Sequence, residues 1–325
     1  MAINFQTAYS VNQISSLPVS TFYGLQASEV ASLSTAQIKA LTPEQIAAIG
    51  LDAENGTLDS SVIVGFTSSQ IAAFTPYQVQ NGFTTGQLAS FGSEEIRALT
   101  TAQLAVMTYE QIDSLNATTA DNFKNLTTAQ LGVLTADQLR AIEAEAGDQL
   151  TTGTTGQIQK LKASQLDIVD TFSSDQLQSL TTAQIKLLSP DQLRSLDPAT
   201  QLQKLTTPQV LALAGTQLDV VSSLSADQFA SLSSAQISKL LPDQLQSLTS
   251  DQLSAMTSTQ IKALTTSQIQ SLTDTQIGQL GANQVRAMSA AQIAALKTDQ
   301  IVALSTTNIR ALSTTIWSEI GRAHV

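Results

Sequence analysis

Carboxylates, amides and hydroxyls are the side chains from which this sequence could build chemistry, because it has no cysteine and a single histidine, His324. Thiolate nucleophiles, disulfides and thiolate metal sites are therefore excluded. Serine is plentiful, but no G-x-S-x-G elbow, phosphate-binding P-loop or dinucleotide fingerprint is present. Asp52, Glu54, Asn55 and Asp59 gather oxygen ligands of the kind calcium takes. Their spacing fails as an EF-hand, since Gly56 at the sixth loop position would make Leu51 the first. A solvated loop is the expectation there. The reading assigns no catalytic, cofactor-binding or metal-binding residue, and the chain is expected not to be an enzyme.

One residue type does have a spacing that demands explanation. Glutamine falls at 228, 236, 244, 252, 260, 268, 276, 284, 292 and 300, with Asn308 at the next step. The period is eight, and the unit reads L-[T/S]-x-x-Q-[I/L]-x-[A/S]. Leu264, Thr265, Gln268 and Ile269 carry one copy; Leu272, Thr273, Gln276 and Ile277 carry the next. Thr265 and Gln268 stand in the order of a capping box, in which the hydroxyl accepts from the Gln268 N–H and the amide reaches back to the Thr265 N–H. Leu264 and Ile269 flank the cap where a hydrophobic staple closes. That role explains the glutamine column without a ligand.

Other positions agree with a helix that starts in every unit. Pro43, Pro76, Pro190 and Pro242 occupy the first helical position, where the missing N–H has no intrahelical partner. Acids such as Asp175, Asp227, Asp251 and Asp299 fall in the first turn, and bases such as Lys39, Lys186, Lys262, Arg286 and Arg310 fall late. A helix dipole favours that order. One continuous helix is excluded, because eight residues rotate the apolar stripe by about 80° per repeat. Strand alternation fits poorly, because the apolar positions are three and five apart.

One octad buries too little to offset the ordering of its own backbone, so neighbours must cover each other's Leu and Ile. The expected fold is all-α: a solenoid of very short capped helices, with Leu and Ile inside and Thr, Asp and Lys outside. A β-solenoid is the alternative. It would turn paired threonines such as Thr265 and Thr266 into a flat outer row suited to ice or glycan.

Residues 1–30 match the unit poorly and contain Phe5, Tyr9, Phe22 and Tyr23; they read as an N-terminal cap over the core. The array spans 31–316, with irregularities at 50–66, 116–126 and 143–156. Within the first of these, 50–61 reads as a loop and 62–66 as a brief extended piece. The net charge of -11 argues against binding phosphate backbones. No apolar run is long enough to span a membrane, and the first twenty residues lack a signal peptide's basic and apolar regions.

Three resemblances follow from particular strings. Residues 317–325 break the period, and Glu319-Ile320-Gly321-Arg322-Ala323-His324-Val325 resembles a translated sequencing adapter; this marks a non-native tail, removes weight from His324, and implies that the natural chain continues. Leu41-Thr42-Pro43-Glu44-Gln45-Ile46-Ala47-Ala48-Ile49 resembles the opening of a TAL-effector repeat. That family reads DNA with a superhelix of longer, two-helix repeats. The chain lacks its period, its paired base-reading residues and its basic helices, so a nucleic-acid-binding superhelix is kept only as an alternative function. More widely, 31–316 resembles Thr/Gln-rich octapeptide tracts of large bacterial surface or secreted proteins. That resemblance implies a spacer, adhesin-like or scaffold role, with an unidentified protein partner or self-association. It also implies a cell-surface or secreted location, reached by a C-terminal signal; a cytoplasmic location is the alternative.

Overall fold

Thr265 enters its helix in extended backbone (φ −73°, ψ 161°), and its hydroxyl accepts from the Gln268 N–H. The helix Thr266–Ser271 is closed at its far end by Leu272, whose N–H donates to the Ile269 carbonyl at 3.3 Å. Leu272 itself is again extended (φ −60°, ψ 142°), and Thr273 caps the next helix. This octad is thus six helical residues and a two-residue extended corner, and in other octads the helix shortens to five or four residues, as in Pro242–Gln246 and Ser234–Ile237. Such a helix is too short to persist alone, so packing must hold it.

The computed structural model describes residues 8–23, 25, 27–50, 63, 65–115, 125–144 and 154–312. These fold as a succession of short helices, an all-α solenoid. The one strand-like pairing among them is an isolated antiparallel bridge between Tyr23 and Ile49. The β-solenoid alternative is therefore overturned, and the flat threonine row goes with it. The physical reason is the cap: Thr265 and its equivalents fold their hydroxyls back onto their own helix instead of presenting them from a strand. The extended piece expected at 62–66 is also corrected, because Ile63 is helical and its carbonyl accepts from the Phe66 N–H at 3.1 Å.

The chain divides into two units, Met1–Phe172 and Ser173–Val325. In each, a helix packs on the one about three octads further along: Thr85–Leu88 on Tyr109–Ser114 in the first, and Pro242–Gln246 on Thr266–Ser271 in the second. The residue after each glutamine and the residue at each corner form the core; Ile269 is fully buried and Leu272 nearly so. In the first unit the corners at Phe66, Phe74, Phe83 and Phe91 make an edge-to-face series with centroids 5.1, 5.0 and 6.2 Å apart, an arrangement aromatic rings favour.

The octad starts earlier than the sequence reading placed it. Ser10, Val11, Asn12, Gln13 and Ile14 form a capped helical turn inside 1–30, with the Ser10 N–H donating to Gln13 Oε1 at 2.9 Å. Two longer members also occur, the 3-10 helices Ala163–Thr171 and Gly215–Ser223. Each inserts three residues after the usual apolar position, Asp167-Ile168-Val169 or Asp219-Val220-Val221. A 3-10 helix has three residues per turn, so the insertion adds a whole turn and returns the chain to the same phase. The exit is accordingly unchanged: the Phe172 N–H donates to Val169 O and the Leu224 N–H to Val221 O, both at 3.2 Å. The Asp52 loop, the core of the irregular segments 116–126 and 143–156, and the tail 317–325 lie outside the described residues.

Candidate functional site: the buried glutamine column

Gln268 is buried, although glutamine is usually exposed. Its Oε1 accepts from the Thr265 N–H at 2.8 Å, and its own N–H donates to Thr265 Oγ1 at 3.1 Å. Its Nε2 then donates to the Ile237 carbonyl at 2.9 Å and the Leu240 carbonyl at 2.8 Å. One side chain therefore caps its own helix and ties it to the turn four units earlier. Helix ends leave carbonyls without intrahelical partners; the amide supplies the donor for the Leu240 carbonyl and a second one for the Ile237 carbonyl, which also accepts from the Leu240 N–H at 3.2 Å.

The same pattern runs through both units. Gln45 donates to Ile14 and Leu17, Gln103 to Ile71 and Phe74, and Gln165 to Leu131 and Leu134. Gln217 donates to Ile185 and Leu188, and Gln292 to Ile261 and Leu264. In these cases the accepting pair is the buried residue after the earlier glutamine and the corner residue beyond it; Gln37, which donates to Tyr9 O, and Gln244, which donates to Asp219 Oδ1, depart from it. Stacking three octads back and bonding four octads back places one turn of the coil between three and four octads. Just after the long member at 214–224 the reach shortens to three units: Gln228 meets Leu202 and Leu205, and Gln236 meets Val210 and Leu213.

The exceptions show what the column requires. Asn308 is shorter; its Nδ2 reaches only Leu280, at 2.7 Å. Glu95 keeps the local bond, accepting from the Gly92 N–H at 2.9 Å, but a carboxylate has no N–H to offer and Glu95 is only half-buried. The Gln176 Nε2 is buried without a partner among the described residues. A capping box accepts Glu as readily as Gln, so the near-exclusive choice of glutamine was the signal in the sequence that a donor is also needed.

The structure places Leu264, Thr265, Gln268, Ile269, Leu272, Thr273, Gln276 and Ile277 in two successive rungs. Leu264, Ile269, Leu272 and Ile277 are in the core, Gln268 and Gln276 are buried beside it, and Thr265 and Thr273 cap from the surface. They come together as a packing device and bring no nucleophile or free base together.

A charged cluster surrounds Asp219, in a shallow groove of about 600 Å³ lined in part by Thr216, Lys239, Leu241 and Gln244. Both carboxylate oxygens are engaged: Oδ1 accepts from Gln244 Nε2 at 2.7 Å, and Oδ2 pairs with Arg194, which also holds Asp191 at 2.6 Å. Asp197 is held below the usual carboxylate range by the Thr200 hydroxyl, then by the Thr200 and Ala199 N–H groups. Glu44 and Glu110 are lowered first by their own backbone N–H and then by the Thr42 and Thr108 hydroxyls. All three are exposed first-turn or turn-forming carboxylates. Among the described residues no group of three or more His, Cys, Asp or Glu side chains is placed to hold a metal, and no helix is long and apolar enough to cross a membrane.

The ALTTAQ repeat family matches the chain at two places, residues 82–117 and 277–314. Both lie in the octad array, one in each unit, and the family's name is itself the capped start of the unit. No curated protein matches this chain.

Proposed function

We propose that this chain is a non-enzymatic structural or protein-interaction scaffold, a stretch of a larger bacterial surface protein of adhesin-like kind. The observation that carries the reading is the use made of the buried polar groups. Most of the glutamine amides that enter the core are occupied at both ends, as Gln268 is, by a cap N–H and by carbonyls of an earlier turn; Gln176, whose Nε2 has no partner among the described residues, is an exception. A site built for turnover leaves a polar group facing a cavity. The match to a repeat family supports the repeat scaffold, and the wider likeness to octapeptide tracts supports the bacterial surface setting. The sequence alternative of nucleic-acid binding has one observation in its favour, a line of basic residues in the second unit, and the net charge of -11 against it.

The scaffold reading is tested by deletion. Removing residues 257–280, three octads, is expected to leave a cooperative thermal melt and to shorten the particle seen by small-angle X-ray scattering. Removing residues 260–263 takes out one glutamine and one core residue and breaks the phase of everything after them. It is expected to abolish the melt of the second unit. Indifference to the four-residue deletion would count against a coil whose only product is its own length and surface.

A further inference from the structure

Stacking in the second unit sorts charge by face. The helices Ser234–Ile237, Ser258–Ala263, Ala282–Ala287 and Thr306–Ala311 pack one on the next. At the end of these rungs stand Lys239, Lys262, Arg286 and Arg310, all exposed, and the four octads contain no acid. None of the four cations is in an ion pair among the described residues. The neighbouring stack, Ala226–Ser231, Ser250–Ala255, Asp274–Gln279 and Thr298–Ala303, is the reverse. It presents exposed Asp227, Asp251, Asp274 and Asp299, with Lys297 as its only base. The third stack carries a single charge, Asp243.

Some cations elsewhere on the chain do reach a neighbour, although Lys39, Lys160, Lys186 and Lys204 are exposed and make no ion pair among the described residues. Arg140 pairs with Asp170 at 3.2 Å, Arg97 donates to the Asn125 carbonyl at 3.3 Å, and Lys162 donates to the Gly132 carbonyl. Arg194 is held by two aspartates. Side chains on adjacent turns of the coil can therefore reach one another, yet in the basic column of the second unit only Arg286 makes a side-chain contact, a long one to Asn283 Oδ1 at 3.5 Å, and no carboxylate pairs with any of the four among the described residues.

We propose that the basic column Lys239, Lys262, Arg286 and Arg310 docks on the acidic column Asp227, Asp251, Asp274 and Asp299 of a second copy of this chain, side by side. The argument is one of pitch. Packed helices stand about 8–10 Å apart, so both columns repeat with that step, and they share it because they belong to the same coil. A second copy therefore offers an oppositely charged column in register over four rungs. A broad polyanion such as duplex nucleic acid would meet the acidic stack that lies directly beside the basic one, and would be repelled by it. Basic face on acidic face is a heterologous contact, which continues from copy to copy instead of closing as a pair. It rests on the scaffold reading and gives that scaffold its partner.

Exposed ion pairs contribute little individually, so the expected dissociation constant is weak, on the order of 0.1–1 mM. The test is sedimentation velocity on the full chain at high protein concentration. Association is expected in about 0.01 M salt, where charges act over roughly 30 Å, and its loss in about 1 M salt, where they act over roughly 3 Å. A variant carrying Lys239→Glu, Lys262→Glu, Arg286→Glu and Arg310→Glu should stay monomeric, as should one carrying Asp227→Lys, Asp251→Lys, Asp274→Lys and Asp299→Lys. Mixing the two should restore association. Circular dichroism of each variant checks that the surface changes leave the fold intact, and if one misfolds, the salt series on the unaltered chain still decides. A monomeric chain at low salt, variants that still associate, or a mixture that does not, would overturn the proposal. So would a basic column that instead binds duplex DNA in a salt-sensitive way. A chain that stays monomeric but passes the deletion test loses only the lateral contact, whereas failure of the deletion test removes the scaffold itself.

Discussion

The octad 265–272 and the longer member 214–224 build the same rung from different lengths of chain. In the octad, a single buried residue, Ile269, lies between the capping glutamine and the corner, and the backbone is α-helical. In the longer member, Leu218, Val220 and Val221 are all buried and the backbone is 3-10 over nine residues. Runs of that length are uncommon, because the hydrogen bonds of a 3-10 helix are poorer. Here the glutamine below and the corner above fix both ends, and only a helix with a whole number of residues per turn lets three extra residues pass unnoticed. The coil thus tolerates a change in length where the phase of its apolar residues is kept, and the glutamine column registers that change by shortening its reach after residue 224.

The sharpest way to break this comparison is to remove three residues from each member. Deleting Asp219, Val220 and Val221 leaves Ala214-Gly215-Thr216-Gln217-Leu218-Ser222-Ser223-Leu224, which is an octad. The variant is expected to fold cooperatively, losing about 3–6 kcal/mol from two buried valines. The glutamines downstream should then return to a reach of four units, so that Gln228 meets Leu193 and Leu196 in place of Leu202 and Leu205. A crystal structure of the variant checks the exchange. Deleting Gln268, Ile269 and Gln270 instead removes the tie and the core residue together, and the second unit should lose its cooperative melt. Equal tolerance of both deletions would mean that phase does not govern the coil.

Much of this was legible in the sequence. The cap at Thr265, the exit at Leu272 and the burial of Ile269 follow from local rules of helix ends, and those rules act within a few residues. The second job of Gln268 was not legible, because its acceptors at Ile237 and Leu240 are about four octads away and nothing in the spacing reports how many octads make a turn. The same ignorance hid the sorting of charge. Lys239, Lys262, Arg286 and Arg310 look scattered along the chain and become a column only when three octads are known to close a layer. The turn at Ser10 to Ile14 was obscured by its aromatic neighbours, and the two longer members by a period that no longer divided by eight.

A smaller change isolates the tie from the cap. Gln268→Glu keeps the acceptor for the Thr265 N–H but removes the donor to two buried carbonyls. Leu240 O is then left unpaired, which costs about 1–3 kcal/mol, while Ile237 O keeps the Leu240 N–H and loses one bond worth about 0.5–1.5 kcal/mol, so chemical denaturation should show a loss of roughly 1.5–4.5 kcal/mol. Gln13→Glu is the control: Gln13 is exposed, and among the described residues its side chain makes only local bonds to Ser10. It should shift stability by less than about 0.5 kcal/mol, as surface changes away from such features do. Equal losses at the two positions would show that the cap, and not the contact between turns, sets the energy of the column.

Glu95 allows the reverse experiment at a place where the chain itself has given up the tie. It caps Gly92 and donates nothing. The carbonyls that a glutamine there would meet belong to Ile63 and Phe66, which stand 32 and 29 residues back, as Ile71 and Phe74 stand to Gln103. Glu95→Gln should therefore add two hydrogen bonds without altering the cap, and net gains of about 0.5–1.5 kcal/mol per bond predict a rise in the melting temperature of the first unit. The chemistry of this change is the exact inverse of Gln268→Glu, one oxygen exchanged for one NH2 at the same place in the octad, so the two should move stability in opposite directions. A fall at Glu95 would mean that the carboxylate there answers to a neighbour of its own, and that the donor rule holds only where every rung already obeys it.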